Sequence, residues 1–263
     1  MPVPPYDVPV NAIGQLIMTI LVVVALLAAA VAAVRMSRRL ASWGPIATLA
    51  GSLLAGFIEP IYCITMHLWY YRPGQWTMYT AMGQSQPVWS WLSYGAFYGG
   101  LTLLIWWRVE QGATRASIWR LSGFLVVIGI VTEIVCIQLG TYEYYGEHPF
   151  RVASFPLWIA FANSAIGVVG GILAARLRPL LTGAQGWAFI ALVPAVMPAM
   201  QIGTGFLALD VINTPDPSTF LLYFTGIASM GLASTSIFIA LKLLPERPVF
   251  KAKETSSDMR ARG

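Results

Sequence analysis

The chain has 263 residues, of which 57% are hydrophobic and 10% are charged, and its net charge is +5. Soluble domains carry about 25% charged residues, so this composition excludes a soluble globular domain. We expect an integral membrane protein whose main partner is the lipid bilayer. The positive charge requires no nucleic acid, because membrane topology accounts for its distribution.

Seven segments are apolar over the length of about 20 residues that a membrane-spanning helix needs. In chain order they are 13–34, 45–67, 88–107, 121–141, 154–175, 187–208 and 219–241. They are continuously apolar, which favours an all-α bundle over a barrel of short alternating strands. The sequence therefore predicts one seven-helix transmembrane domain, residues 1–243, followed by a polar, disordered cytoplasmic tail at 244–263.

The basic residues are distributed unevenly between the two sides of this predicted bundle. All of the 16 Lys and Arg residues except Arg72 and Arg151 lie near helix ends that share one side. The positive-inside rule makes that side cytoplasmic, so the N-terminus is outside and the C-terminus inside. No basic residue precedes the first apolar segment, which favours an uncleaved helix over a signal peptide. We expect a multi-pass protein of the cell membrane, most simply a bacterial inner membrane.

Two acidic residues, Glu59 and Glu133, lie well inside predicted spans. At 1.5 Å per residue, both lie about 20 Å from the cytoplasmic side, in the outer half of a hydrocarbon core about 30 Å thick. Polar and aromatic groups near that depth, or in the outer loops, are the candidate substrate-binding residues: Tyr62, His67, Trp76, Tyr94, Tyr98, Gln138, Tyr142, Asn163 and Gln201. This layer predicts a pocket that opens outward.

Neither acid has a Lys or Arg on its own helix face or on another helix at its depth. A carboxyl group in hydrocarbon without a cationic partner keeps its proton, and a neutral carboxylic acid is suited to general acid catalysis. The alternative is structural, with each Glu hydrogen-bonding a neighbouring helix for about 0.6–2 kcal/mol. Pro60 beside Glu59 predicts a helix kink. His67 is either part of the Glu59 face or an ordinary interfacial residue.

Two outer loops, 67–91 and 140–158, are rich in Trp and Tyr, as in an interfacial aromatic belt or a lid over the pocket. The sequence has no paired-aspartate diphosphate motif, histidine cluster or Gly-rich phosphate loop, so we expect no metal and no cofactor. The seventh segment has no central lysine, which argues against a retinal Schiff base. Cys63 and Cys136 both fall inside predicted helices, which excludes a disulfide framework.

Several short motifs carry a resemblance to a known family. They are Glu59-Pro60, Gly74-Gln75-Trp76, Gln86-Pro87, Gly140-Thr141-Tyr142-Glu143-Tyr144 and Phe155-Pro156-Leu157-Trp158. With these motifs the sequence resembles the AveC-like (avermectin spirocyclase-like) family of actinobacterial membrane proteins. It is more distantly similar to the seven-helix meroterpenoid cyclases of fungi, which use membrane carboxylic acids. The resemblance implies acid-assisted ring closure of a hydrophobic hydroxy-ketone or polyene.

Two functions are compatible with these features. The first is a membrane cyclase acting on a lipophilic isoprenoid or polyketide, an isomerase or lyase in which Glu59 and Glu133 are catalytic. One acid would protonate the substrate, and aromatic rings would stabilise the resulting cation. The second is a non-catalytic lipid-binding or carrier protein, in which the acids hydrogen-bond the headgroup of a bound molecule.

Overall fold

The computed structural model describes residues 2–244, most of which are helical. The helices are α1 (Ala12–Leu40), α2 (Gly44–Ala55), α3 (Glu59–Thr65), α4 (Val88–Ser93), α5 (Gly100–Glu110), α6 (Arg115–Gln138), α7 (Leu157–Leu177), α8 (Leu192–Ile212) and α9 (Thr219–Leu241). A 3-10 turn at Gly56–Ile58 joins α2 to α3, and another at Gly183–Ala191 leads into α8. A π-helical turn at Tyr94–Gly99 joins α4 to α5.

Within residues 2–244, six helices are long and apolar enough to cross a membrane. They are Ala12–Leu40, Gly44–Thr65, Arg115–Gln138, Leu157–Leu177, Gly183–Ile212 and Thr219–Leu241. They correspond to six of the seven predicted segments and confirm a mostly helical membrane protein. The other predicted segment, 88–107, is helical as α4, the π-helical turn and α5, but its Trp, Tyr, Ser and Gly residues lower its mean hydropathy.

Side-chain caps fix the start of three of the long helices. The Asn11 side chain accepts a hydrogen bond from the Gly14 N–H at 3.0 Å and starts α1. Thr114 and Ser218 do the same for α6 and α9 through their hydroxyl oxygens. Each cap satisfies one backbone N–H that has no partner within its own helix.

The second span changes its helical form just before Glu59. Pro60 has no N–H and would clash with the carbonyl four residues earlier, that of Gly56, in a regular α-helix. The chain forms its 3-10 turn there, and the Gly56 carbonyl accepts a hydrogen bond from the Tyr79 hydroxyl at 2.7 Å. The kink predicted from Pro60 is thus a local change of helix type that also anchors the following loop.

Three small antiparallel ribbons, which the all-α prediction did not include, cover one end of the bundle. They pair β1 (Leu68–Tyr70) with β4 (Tyr142–Tyr144), β2 (Thr77–Ala81) with β3 (Gln84–Pro87), and β5 (Arg151–Val152) with β6 (Phe155–Pro156). In the first ribbon Leu68 pairs with Tyr144 and Tyr70 with Tyr142. We call this end of the bundle the strand end.

The opposite end, which we call the basic end, brings together Arg residues from several helices. Arg178 forms an ion pair with Glu110 at 2.8 Å, and Arg115 donates to the carbonyls of Leu241 and Leu244. Arg39 lies 4.7 Å from the centre of the Trp107 ring. Leu244 is buried, and the rest of the predicted tail, 245–263, lies outside the described residues.

Helix α7 is the centre of the bundle, and α1 lies at its edge. α7 packs against α5, α6, α8 and α9, and small residues allow close approach. A Cβ placed on Gly171 would lie 2.5 Å from the Ile105 Cβ. In contrast, much of α1 exposes apolar side chains such as Leu21 and Leu27, both of which face outward from the bundle.

Candidate active site

A cavity of about 420 Å³ lies inside the bundle toward the strand end. Helices α1, α3, α4, α6, α7 and α8, the π-helical turn and strands β1 and β4 all contribute to its wall. Its lining is mainly apolar and aromatic with a few polar groups, as in most small-molecule sites. Glu59 and Glu133 both line it, so the two predicted acids share one chamber.

Glu59 is held by two phenol groups. The Tyr70 hydroxyl donates to Glu59 Oε1 at 2.5 Å, and the Tyr94 hydroxyl donates to Oε2. Ser90 Oγ donates in turn to the Tyr70 hydroxyl at 2.8 Å. Three elements meet here: α3 supplies the acid, β1 ends at Tyr70, and the π-helical turn begins at Tyr94. π-helical turns occur frequently at functional sites.

Glu133 has a matching phenol partner. The Tyr142 hydroxyl donates to Glu133 Oε2, and the Tyr144 hydroxyl also interacts with this carboxyl group. The register of the β1–β4 ribbon sets Tyr142 opposite Tyr70, with ring centres 5.5 Å apart. One ribbon therefore supplies a hydroxyl donor to each acid and joins their surroundings.

The phenols outside the spans keep their protons. Burial, and then the neighbouring Glu59, raise the pKa of Tyr70 well above its usual value. Burial and Glu133 do the same to the pKa of Tyr142. Both hydroxyl groups therefore remain neutral hydrogen-bond donors at physiological pH, as their contacts with the two carboxyl groups require.

A third polar cluster lies on the wall formed by α7 and α8. Asn163 Oδ1 accepts from the Tyr98 hydroxyl at 3.1 Å and from Gln201 Nε2 at 2.8 Å. Gln201 Nε2 also contacts the Tyr98 hydroxyl at 3.2 Å. The rings of Tyr94 and Tyr98 are 5.2 Å apart, so this cluster is continuous with the surroundings of Glu59.

Three buried polar atoms on the cavity wall have no hydrogen-bond partner within the described part of the chain. They are the Tyr62 hydroxyl, Trp89 Nε1 and Gln201 Oε1, on side chains that are 2%, 5% and 4% exposed. Buried polar groups are nearly always hydrogen-bonded. All three atoms are buried against other protein atoms, so each carries the cost of an unpaired buried polar group.

No Lys or Arg among residues 2–244 lines this cavity. The two Arg residues of the strand end are engaged elsewhere. Arg72 lies over the Trp69 ring at 3.8 Å and donates to the Gly83 carbonyl, and Arg151 donates to the backbone carbonyls of Tyr144 and Gly146. The hydrogen-bond partners of the two acids are thus hydroxyl groups and not cations.

The structure brings most of the predicted site residues together. Those that line the cavity are Glu59, Glu133, Tyr62, Tyr94, Tyr98, Tyr142, Asn163 and Gln201. Because they line one cavity, these residues lie at one level of the bundle, as the constant rise of a helix predicts for those within the predicted spans.

Three predicted site residues lie elsewhere, which corrects the sequence interpretation. Gln138 is exposed at the end of α6, because five residues at about 100° each turn it away from Glu133. His67 lies after the end of α3 with a φ of 49°, so its side chain is not on the helix face that carries Glu59. Its ring stacks on that of Tyr145. Trp76 is 47% exposed in the loop before β2.

The sequence interpretation missed Tyr70, Ser90, Trp89 and Tyr144, all of which line the cavity. Tyr70 and Trp89 were assigned to the aromatic belt. Tyr142 and Tyr144 alternate with the period of two that is typical of a strand. This alternation is the sequence feature that indicates strand β4.

Comparisons of the chain with protein-family models, with curated proteins and with solved structures find no match. Assignment of a function therefore depends on the chemistry of the cavity.

Proposed function

We propose that the protein is a membrane-embedded cyclase that closes a ring in a lipophilic isoprenoid or polyketide-like molecule by acid catalysis. In this proposal the chain crosses a bacterial inner membrane seven times, with its N-terminus outside and its C-terminus in the cytoplasm. The motif resemblance to AveC-like proteins points to the same reaction class.

The observation that carries the proposal is the pairing of two carboxyl groups in one apolar and aromatic cavity that no Lys or Arg of residues 2–244 lines. Glu59 is 7% exposed, and the cavity lining places Glu133 on the facing helix α6. Two carboxyl groups with different surroundings in one site divide the roles of acid and base. We assign the acid to Glu59, the more buried of the two, and the base to Glu133. Glu133 is only partly buried, and the hydroxyl groups of Tyr142 and Tyr144 stabilise its carboxylate form in place of a cation.

For an alkene substrate, the Glu59 O–H proton adds to one alkene carbon and leaves a carbocation on its neighbour. An electron pair from a second alkene or a hydroxyl group of the same molecule then forms the ring bond. Glu133, as a carboxylate, takes the proton that the cyclised cation loses, so the product is an isomer of the substrate. Return of that proton from Glu133 to Glu59 restores the starting state.

The surrounding residues suit the charges that develop in this reaction. When Glu59 loses its proton, the hydroxyl groups of Tyr70 and Tyr94 stabilise the new carboxylate. The rings of Trp89 and Tyr62 line the same cavity and present aromatic faces that stabilise a cation. These interactions strengthen as charge separates, which is the condition for lowering a barrier.

The decisive experiment compares Glu59→Gln and Glu133→Gln with the parent protein. Purified protein in detergent is incubated with linear isoprenoid alcohols, polyenes and hydroxy-ketones, and cyclised products are measured by mass spectrometry. Glutamine keeps the size and hydrogen bonding of the side chain but cannot donate the proton. Loss of the acid should therefore lower turnover by about 10²–10⁴-fold, with unfolding temperature nearly unchanged.

Glu147→Gln is the matched control, because Glu147 is exposed outside the cavity, and it should turn over at the parent rate. Normal product yield from both the Glu59 and the Glu133 variants would rule out the proposed reaction.

A non-catalytic lipid-binding or carrier protein is the second candidate, favoured by the mainly apolar lining of the cavity. In that case a lipid co-purifies with the protein and stays chemically unchanged on incubation, and both Glu→Gln variants retain it with only mild loss. Mass spectrometry of the extracted lipids separates the two functions, because a cyclised isomer of the bound molecule forms only if the protein is a catalyst.

A further inference from the structure

Helices α1 and α6 form one side of the cavity but pack together only at the strand end. There the Asn11 N–H donates to the Gly140 carbonyl at 2.9 Å, and a Cβ placed on Gly14 would lie 2.0 Å from the Leu139 carbonyl oxygen. Met18 and Cys136 bring their sulfur atoms within 3.4 Å of each other. These contacts close the strand end of the α1–α6 gap.

Beyond Met18 and Cys136 the cavity lies between the two helices. Leu21, Val22 and Ala25 of α1 and Gly129, Thr132 and Val135 of α6 line it. At 1.5 Å per residue, positions 21 to 25 lie about 14–20 Å from the start of α1. That distance is near the middle of a hydrocarbon core about 30 Å thick.

Several of these lining residues also face the outside of the bundle. Leu21 is 56% exposed and Val135 is 47% exposed, and Ala25 and Thr132 are exposed as well. A side chain that lines the cavity and also faces outward marks the rim of an opening. The cavity surface is therefore continuous with the apolar surface that the bundle presents to lipid.

Gly129 shows that the opening has room for a side chain. It is buried and lines the cavity, yet a Cβ added to it would meet no atom within 4 Å. Elsewhere in the bundle, glycines such as Gly171 allow helices to touch. At Gly129 the missing side chain keeps the gap open instead.

We propose that the gap between α1 and α6 is a lateral entrance through which an uncharged, single-chain lipophilic molecule passes from the bilayer into the cavity. The nature of that molecule rests on the proposed function, whereas the entrance rests on the geometry of the two helices. The wall offers hydroxyl, amide and indole groups but no Lys or Arg among the described residues, so an alcohol or ketone fits and a phosphate ester does not.

The size of the cavity limits what can be enclosed. Small-molecule pockets measure about 300–1,000 Å³, and this cavity, at about 420 Å³, lies toward the small end of that range. A two-chain phospholipid is several times too large to be enclosed. The enclosed part of the ligand is therefore comparable to a short isoprenoid chain, and a longer molecule extends outward through the gap.

The experiment blocks the gap and measures the arrival of a probe in the cavity. Full-length protein is reconstituted in phosphatidylcholine vesicles that contain a long-chain primary alcohol carrying a terminal diazirine. After photolysis, mass spectrometry quantifies labelling of peptides containing Glu59 and Tyr94, relative to labelling of the lipid-facing side of α9. Gly129→Leu and Gly129→Phe should lower cavity labelling by about tenfold or more.

The controls are Gly123→Leu and Gly123→Phe, made on the same helix at an exposed glycine that also has no atom within 4 Å of an added Cβ. They should label the cavity like the parent protein. Gly129→Ala adds the smallest side chain and should fold like the parent protein. Its cavity labelling should decrease only slightly. Equal cavity labelling in the Gly129 and Gly123 series would overturn the lateral entrance.

The outcome of the labelling experiment can be distinguished from the outcome of the turnover experiment. Glu147→Gln should keep parental labelling, because Glu147 is exposed and lines neither the cavity nor the gap. If no variant or parent protein turns over any substrate but labelling still depends on residue 129, the entrance stands and the cyclase proposal falls. If turnover is normal but labelling is independent of residue 129, the cyclase proposal stands and the entrance falls.

Discussion

At the scale of single residues, the contacts of Glu59 agree with a structural role and its place in the cavity wall agrees with a catalytic role. Its hydrogen bonds to Tyr70 and Tyr94 tie α3 to β1 and to the π-helical turn, which is the structural role considered from the sequence. The same carboxyl group also lines the cavity. A residue that only tied elements together would not need to face an internal space, so the structural role alone does not explain its position.

Tyr94→Phe should measure the structural part of this arrangement. The change keeps the ring and removes one donor to Glu59, so the free energy of unfolding should fall by about 1–3 kcal/mol, the range for a buried hydrogen bond. Unfolding in detergent followed by fluorescence provides the measurement. Tyr223→Phe, on a 43% exposed ring, is the control and should change stability little.

A double-mutant cycle tests whether that loss comes through Glu59. In the Glu59→Gln background, Tyr94→Phe should cost measurably less than in the parent protein, because the donor has already lost its carboxyl partner. Additive effects of the two substitutions would mean that Tyr94 stabilises the fold through its other contacts.

At this scale the sequence predicted the level of a residue along its helix better than the direction of its side chain. The levels of Glu59, Glu133 and Asn163 follow from helical rise, which is constant along a span. The position of Tyr70 does not, because it depends on the pairing of β1 with β4, two strands more than 70 residues apart in the chain. Gln138 was predicted wrongly because the helix turns it away from Glu133 within five residues. His67 was predicted wrongly because α3 ends just before it.

At the scale of elements, the long helices were predictable from the sequence, whereas the short strands and the π-helical turn were not. Long apolar runs with capping residues identify the spans, and the structure reproduces the segment 219–241 without change. The three ribbons have strands of two to five residues, and strands this short give at most one alternation, such as that of Tyr142 and Tyr144, which is a weak signal. The π-helical turn was not predictable from the sequence either, because the residues of Tyr94–Gly99 are compatible with an α-helix as well as with a π-helix.

Close contacts between elements depend on individual glycines. A Cβ on Gly51 of α2 would lie 2.0 Å from the Ile190 carbonyl oxygen in the 3-10 turn before α8. The oxygen is a backbone atom and the position of the Cβ is fixed by its own backbone, so one element has to shift. Gly51→Ala should therefore lower the free energy of unfolding by about 1–3 kcal/mol, as for other overpacked sites.

Gly231→Ala is the control for that substitution. Gly231 lies on α9, and no atom lies within 4 Å of an added Cβ. There the higher helix propensity of alanine should leave stability unchanged or raise it by about 1 kcal/mol or less. Thermal unfolding of the two variants in one detergent gives the comparison. Equal stability of the Gly51 and Gly231 variants would contradict the close packing of α2.

For the whole molecule, the arrangement of charge agrees with the packing. Arg residues from the ends of α1, α6 and α7 meet at the basic end, while the strand end carries Arg72 and Arg151 and the aromatic ribbons. In the proposed topology, the positive-inside rule puts the basic end in the cytoplasm. This assignment requires the helical stretch from α4 to α5, the least apolar of the predicted spans, to cross the membrane.

That crossing can be tested with single cysteines on its two sides. Met78 is 46% exposed in β2 before the stretch, and Gln111 is exposed just after it. If the stretch spans the membrane, Met78→Cys should react with an impermeant maleimide in spheroplasts. Gln111→Cys should react only after permeabilisation. The native Cys63 and Cys136 are 1% and 5% exposed and should give little background labelling.

Thr182→Cys, exposed in the loop after α7, should behave like Gln111→Cys because both positions lie at the basic end. Reaction of Met78→Cys and Gln111→Cys from the same side would show that the stretch does not cross. The chain would then have six spans, and its two termini would share one side of the membrane. The uneven distribution of Lys and Arg argues against that arrangement, because six crossings would put the basic end of α1 on the opposite side of the bilayer from the basic ends of α6, α7 and α9.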